Sequence, residues 1–217
     1  MSNIYNFFKF LEKEKGTKTP FKFKFLYAPD EITDEDLNVE GYLNLRNTPI
    51  TSLPDNLKVE GFLNLSFTKI TSLPDNLQVG GTLYLIRTSI TSIPDNLKVG
   101  GGINFTNTPI TSLPDNLKVG GNLNLTNTPI TSIPDNLKIG ENLDITNTPI
   151  TSLPDNLKIG GDLYLYNTSI TSLPNNLQVG RSLFLQNTPL AEKYSEKEIR
   201  KMVEDKGGYV KGTIIYV

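Results

Sequence analysis

Acid–base, nucleophilic and metal chemistry each need particular side chains, and this sequence lacks most of them. Its 217 residues include no His and no Cys. That removes imidazole bases, thiolate nucleophiles, disulfides and the usual zinc and iron ligand sets together. Carboxylates remain, and one recurs every 20 residues as Asp55, Asp75, Asp95, Asp115, Asp135 and Asp155. Such a column could suggest calcium. However, Lys58, Lys98, Lys118, Lys138 and Lys158 follow three residues behind and Asn175 interrupts the series. A solvated charged face accounts for the pattern. No metal, no cofactor and no catalytic residue is expected, so the chain is not read as an enzyme. Triplets starting at Asn64, Asn104 and Asn124 match glycosylation acceptors but fall inside strands.

Charge is nearly balanced, with 21 basic and 23 acidic residues. Nothing in those totals suggests a nucleic-acid scaffold or a polybasic membrane anchor. The opening segment Met1–Glu12 has an apolar patch that Lys9 and Glu12 cut short. It lacks a basic leader and a long apolar run, so it does not read as a signal peptide. No apolar run is long enough to span a membrane. The expectation is a soluble protein that binds neither membrane nor nucleic acid.

The elements that position these residues are set by an internal repeat. From Gly41 to Gly180 the chain repeats every 20 residues without an insertion. Seven complete units occupy 41–180 and a half unit runs from Arg181 to Leu190. In the fifth unit, Leu123 and Leu125 alternate with polar residues, the period of a short strand with one buried face. Gly120-Gly121 suits a tight turn into the strand, and Thr128-Pro129 stops it. Pro134-Asp135-Asn136 reads as a type I turn with Pro at its second position. Positions 123, 125, 130, 133, 137 and 139 should point inward. One unit cannot bury enough to order itself, so units must stack, each strand beside its equivalent 20 residues on.

Leu-x-Leu-x-x-Thr-x-Ile followed by Thr-Ser-Leu-Pro resembles the leucine-rich repeat in its shortest, 20-residue bacterial and phage form. The resemblance implies a curved, right-handed β-solenoid with a parallel sheet of eight to nine strands on its concave side. The family usually has Asn where this chain has Thr48, Thr68, Thr88, Thr108, Thr128, Thr148, Thr168 and Thr188. A Thr hydroxyl can replace the Asn amide with a shorter reach, so a buried hydroxyl ladder is expected.

Both ends need covers. Residues 1–40 read as an N-terminal cap, 41–190 as the repeats, and 191–217 as a C-terminal cap, within one structural domain. Ile4, Phe7, Phe8 and Leu11 share a helix face, and Phe21–Phe25 alternates like a strand that begins the sheet. Ser195 and Glu198 form a capping box that opens a helix, and 209–217 reads as a closing strand.

Function should lie where near-identical units differ. The return side repeats almost unchanged, whereas the outward strand positions vary and include aromatics. Tyr42, Arg46, Phe62, Phe67, Tyr84, Ile86 and Arg87 should form one patch, since parallel strands lie ~4.8 Å apart. Tyr164, Tyr166 and Phe184 should form a second, beside Asp144 and Asp162. Exposed patches rich in Tyr and Arg mark partner sites. The alternative is that Phe62, Phe67 or Phe184 tuck under the caps.

The leading reading is a non-enzymatic protein-binding module, an inhibitor or adaptor from a phage or bacterium, acting as a monomer in the cytoplasm of the bacterium or an infected host cell. Ice binding through Thr106-Asn-Thr108 and its neighbours, or a structural role in a virion, are the competing readings. Related bacterial repeat proteins carry a ubiquitin-ligase domain, but that chemistry needs a Cys.

Overall fold

The computed structural model describes residues 3–216. Met1, Ser2 and Val217, parts of the opening segment and the closing strand as read from sequence, lie outside them.

Each 20-residue unit makes one rung of a solenoid. In the fifth, Leu123, Leu125, Ile130, Ile133, Leu137 and Ile139 are all buried. The equivalents in the other rungs join them in one continuous core. The Leu-x-Leu segments pair in parallel, Leu43 beside Leu63 and Leu123 beside Leu143. The paired segments are short, two residues each, as at Leu43–Asn44. Backbone bonds from Leu43, Leu45 and Asn47 to the next rung carry the ladder a little further.

A second parallel sheet, absent from the sequence reading, runs along the return side. It pairs Lys58 with Gln78 and Val59 with Val79, and so on up the chain. Each sheet has nine strands among the described residues. Rung-to-rung backbone bonds run along both faces, as Leu123 N–H to Asn142 O on the strand face and Gly140 N–H to Val119 O on the return side. The fold is thus a β-solenoid of leucine-rich-repeat type, with helices at both ends.

Two local readings of the repeat need revision. Pro takes the first position of the return turn, since Leu97, Leu117 and Leu137 donate to the carbonyls of Pro94, Pro114 and Pro134. The paired glycines sit where rungs approach closely, although Glu60, Glu141 and Arg181 take equivalent positions elsewhere. A Cβ on Gly121 would lie 3.0 Å from the Gly102 nitrogen, and one on Gly101 would lie 2.7 Å from the Gly81 carbonyl carbon. The positive φ angles of the rungs fall mostly on Asn residues instead, with Gly41, Phe67 and Arg87 the exceptions.

The N-terminal cap differs most from expectation. Phe21–Tyr27 is an α-helix (α2), not a strand. Coiling stacks Phe21 on Phe25 at 5.5 Å and sends the Lys24 ammonium 2.9 Å from Asp36 Oδ2 in a buried ion pair. A strand here would have left its own open edge, whereas the helix covers the apolar end of the first rung. The preceding helix, α1 (Asn3–Lys15), buries Tyr5 rather than the Ile4/Phe7/Phe8/Leu11 face. It packs on α2 instead of on the sheet, with Phe8 against Phe23 at 4.5 Å, and leaves Ile4, Phe7 and Phe10 exposed.

At the other end come α3 (Pro189–Lys193) and α4 (Glu196–Asp205), the latter opened by the Ser195/Glu198 capping box. The segment after α4 is two strands rather than one. Tyr209–Val210 extends the return sheet beside Gln178–Val179, and Ile214–Ile215 extends the strand face beside Leu183–Phe184. This cap completes the eighth rung, into which the two helices are inserted, and adds the first strand of a ninth.

Candidate partner-binding surface

Three sets of polar side chains hold the rung together, and they define what the repeat needs for folding. The first is the Thr column. Every member from Thr48 to Thr188 donates its hydroxyl to the carbonyl three residues earlier, as Thr128 does to Leu125 at 2.7 Å and Thr108 to Phe105 at 2.7 Å. Seven are buried, and Thr48, in the first rung, is half-buried.

The second set follows the strand. Asn44, Asn64, Asn104, Asn124 and Asp144 each accept the amide N–H two residues on, at 2.9–3.1 Å. This is the Asx turn, which closes the bend leaving the strand. Further in, Asn122, Asn142 and Asp162 accept the N–H of the equivalent residue in the next rung, at 2.7–3.0 Å.

The third set is the Asn column at the bend. Asn47, Asn107, Asn127, Asn147, Asn167 and Asn187 all have left-handed backbone, with φ of 54–58°. Asn tolerates that region far better than other non-glycine residues. From Asn187 down to Asn107 the side-chain amides also bond rung to rung, at 2.6–3.1 Å.

The first aromatic patch sits where these sets are broken. Phe67 and Arg87 occupy the Asn column with φ of 61° and 54°. A bulky side chain there costs about 1–2 kcal/mol. The amide ladder therefore stops at Asn107, and Asn47 has no neighbour in the column to bond. Ser66, beside Phe67, is fully buried with a hydroxyl that finds no partner. Tyr84, like Tyr164 and Phe184 of the second patch, stands where the other rungs have Asn or Asp, so its rung has no Asx acceptor.

What those rungs have instead is a continuous surface. Tyr42 stacks on Phe62 at 4.8 Å, and Phe62 meets Tyr84 edge-on at 6.1 Å. The Arg46 guanidinium lies 4.2 Å above the Phe67 ring, with that of Arg87 5.5 Å away on the same ring. Tyr42 is 65% exposed. Arg46 and Arg87 are exposed, while Phe62, Phe67, Tyr84 and Ile86 are half-buried. Phe62 and Phe67 pack on patch neighbours, Tyr42, Tyr84 and the two arginines.

The second patch is also assembled, with Tyr164 stacked on Phe184 at 4.5 Å and Tyr166 5.7 Å from Phe184. All three rings are half-buried, and Phe184 lies beside the C-terminal Ile215. Burial pushes the Tyr164 and Tyr166 hydroxyls above the usual phenol range, and Asp162 adds to the effect at Tyr164. Both neighbouring carboxylates have work within the fold. Asp162 accepts from Ser182 N–H and from the Tyr164 hydroxyl, and Asp144 from Thr146 N–H and Asn124.

Between the patches runs a groove of about 280 Å³, walled by Tyr84 and Tyr164 and floored by Asn104, Asn122, Asn124 and Asn142. Sequence reasoning missed it. Its signal is Gly102, the one outward strand position without a side chain. A larger hollow, about 620 Å³, lies where the N-terminal cap meets the first rung. Its lining mixes Lys18, Lys22 and Lys58 with Glu35, Glu40 and Glu60, and Tyr42 alone links it to the patch. No group of His, Cys, Asp or Glu among the described residues is arranged to hold a metal ion. No described helix is long and apolar enough to cross a membrane.

No protein-family model matches the chain. No curated protein matches it in sequence. Among solved structures, an LRR domain of a Shigella effector is similar over 99% of this chain and 98% of its own, at 20% identity and a TM-score of 0.54.

Proposed function

We propose that this chain is a non-enzymatic protein-binding module that engages its partner through the outward strand face, with the first three rungs as its main anchor. The observation that carries this is the backbone at Phe67 and Arg87. Two of eight equivalent positions replace the residue the bend prefers, and both replacements lie within one aromatic surface. Strain that the fold does not need, placed beside exposed Tyr and Arg, is what a binding site leaves in an otherwise uniform scaffold. The solenoid fold, shared with an effector domain, suits an inhibitor or adaptor of phage or bacterial origin working in a cytoplasm. Ice binding is less well supported, because Thr108, Thr128 and Thr148 spend their hydroxyls inside the fold, leaving one Thr per rung outward.

The test is capture from a bacterial host extract by immobilised protein, read by mass spectrometry and then by titration of the captured partner. Replacing Tyr42, Tyr84 and Arg87 with Ala should weaken that partner by at least about thirtyfold, the scale of one interface hot spot. Tyr164→Ala/Tyr166→Ala asks the same of the second patch, and Lys118→Ala/Lys138→Ala on the return side should be silent. Normal binding by both strand-face sets would refute the proposal, as would unfolding of both.

A further inference from the structure

Arg46 and Arg87 share one ring, that of Phe67, which no other two cations do among the described residues. Five of the 21 basic residues, Lys9, Lys18, Lys24, Arg200 and Lys201, sit within 4 Å of a carboxylate. Neither Arg46 nor Arg87 forms such a pair among the described residues, and neither guanidinium donates a hydrogen bond. Among the described residues both guanidiniums meet only the Phe67 ring. A guanidinium stacked on a ring presents its N–H edge outward, and that edge matches a carboxylate in a paired, two-bond geometry.

Resting on the partner-binding reading above, we infer that rungs one to three receive an acidic protein segment. Its carboxylates meet the edges of Arg46 and Arg87, and an apolar or aromatic side chain lies on Tyr42, Phe62 and Tyr84. Charge complementarity selects this occupant. A nucleic acid would also offer anions and flat rings, but it carries charge along its whole length. Further along the same face it would run onto Asp144 and Asp162, and the chain as a whole has a net charge of −2. A short acidic stretch on a protein surface avoids that conflict.

The test uses the full chain and labelled peptide mixtures, read by fluorescence anisotropy. One mixture combines Glu with Phe and Leu, a second replaces every Glu with Gln, and a third uses Lys; oligouridylate is the nucleic-acid probe. The Glu mixture should bind about tenfold more tightly than the Gln mixture, with that margin shrinking as salt is raised. Arg46→Gln/Arg87→Gln should abolish the margin while leaving the melting curve of the protein in place. Equal binding of Glu and Gln mixtures would overturn the inference, as would an unaffected double variant, tighter binding of oligouridylate, or no binding by any peptide. Failure here is separable from failure of the broader reading. If a partner captured from extract is lost by Tyr42→Ala/Tyr84→Ala but kept by Arg46→Gln/Arg87→Gln, the face binds a protein and the acidic segment is wrong.

Discussion

Replacing Arg87 with Asn should make the protein more stable while weakening its binding. Arg87 has a φ of 54°, where a long side chain costs about 1–2 kcal/mol and Asn much less. The new amide would sit beside Asn107, whose side chain already bonds to Asn127 at 3.1 Å. One added exposed amide bond contributes about 0.5 kcal/mol. Against this, the contact of Arg87 with the Phe67 ring, 5.5 Å long and open to water, is lost. Such contacts are worth about 0.5–1 kcal/mol. The balance favours Asn by about 1 kcal/mol, or roughly 2–4 °C in Tm for a chain of this size. Thermal unfolding followed by circular dichroism reads it directly. The reverse change, Asn127→Arg, should lower Tm, because it adds the strain and breaks the amide bonds to Asn107 and Asn147. A lower Tm for Arg87→Asn would refute the reasoning, since Arg87 would then be held for stability and its departure from the repeat would say nothing about function.

Three further outcomes follow from the same geometry. Thr128→Val removes the 2.7 Å bond to the Leu125 carbonyl inside the core and should cost about 1–3 kcal/mol by chemical denaturation. Deleting 191–217 removes the return half of the eighth rung and the strand beyond it, and uncovers Leu183 and Val179, both fully buried, so light scattering should show dimers or aggregates instead of a shortened monomer. At Asp36, burial pushes the carboxyl upward, but the Thr33 amide, the Lys24 ammonium and the Thr33 hydroxyl outweigh it and hold the group below its ordinary value. A lowered folded value means its contribution is complete above about pH 4, the unfolded value, and fades as pH falls through the folded one. Asp36→Asn should therefore destabilise strongly at neutral pH, by about 3–5 kcal/mol, and flatten the acid limb of the stability curve.

The solenoid was legible because each rung repeats one buried pattern, so an error at any single rung is outvoted by the others. Where there was no repetition, legibility failed. Phe21–Phe25 alternates like a strand, yet a helix lets Phe21 meet Phe25 and lets Lys24 reach Asp36, contacts that local periodicity does not encode. The return-side sheet escaped notice although Leu137-Lys138-Ile139 alternates as Leu123-Asn124-Leu125 does, because its two apolar positions read equally well as inward residues of the turn after Pro134. The aromatic patches were legible as variation within the repeat, but their energetic meaning was not. A reader of sequence sees Phe67 and Arg87 in place of Asn, whereas the left-handed backbone that makes this costly is visible only in the fold.

That cost also ranks the two patches. Tyr164 and Phe184 replace Asx acceptors, so each forgoes one turn hydrogen bond, but Asn167 and Asn187 keep the left-handed column intact beneath them. Asp144 and Asp162 serve the fold through bonds to Thr146 and Ser182, so their retention at the second patch has a structural explanation as well. At the first patch no such explanation is available. Phe67 and Arg87 strain the bend, interrupt the amide ladder and adjoin a buried hydroxyl without a partner, and the stacking that results involves half-buried rings and exposed guanidiniums. In a chain whose other rungs show how to build the same bend without strain, a surface that forgoes those contacts is better explained by what it meets outside the molecule than by anything inside it.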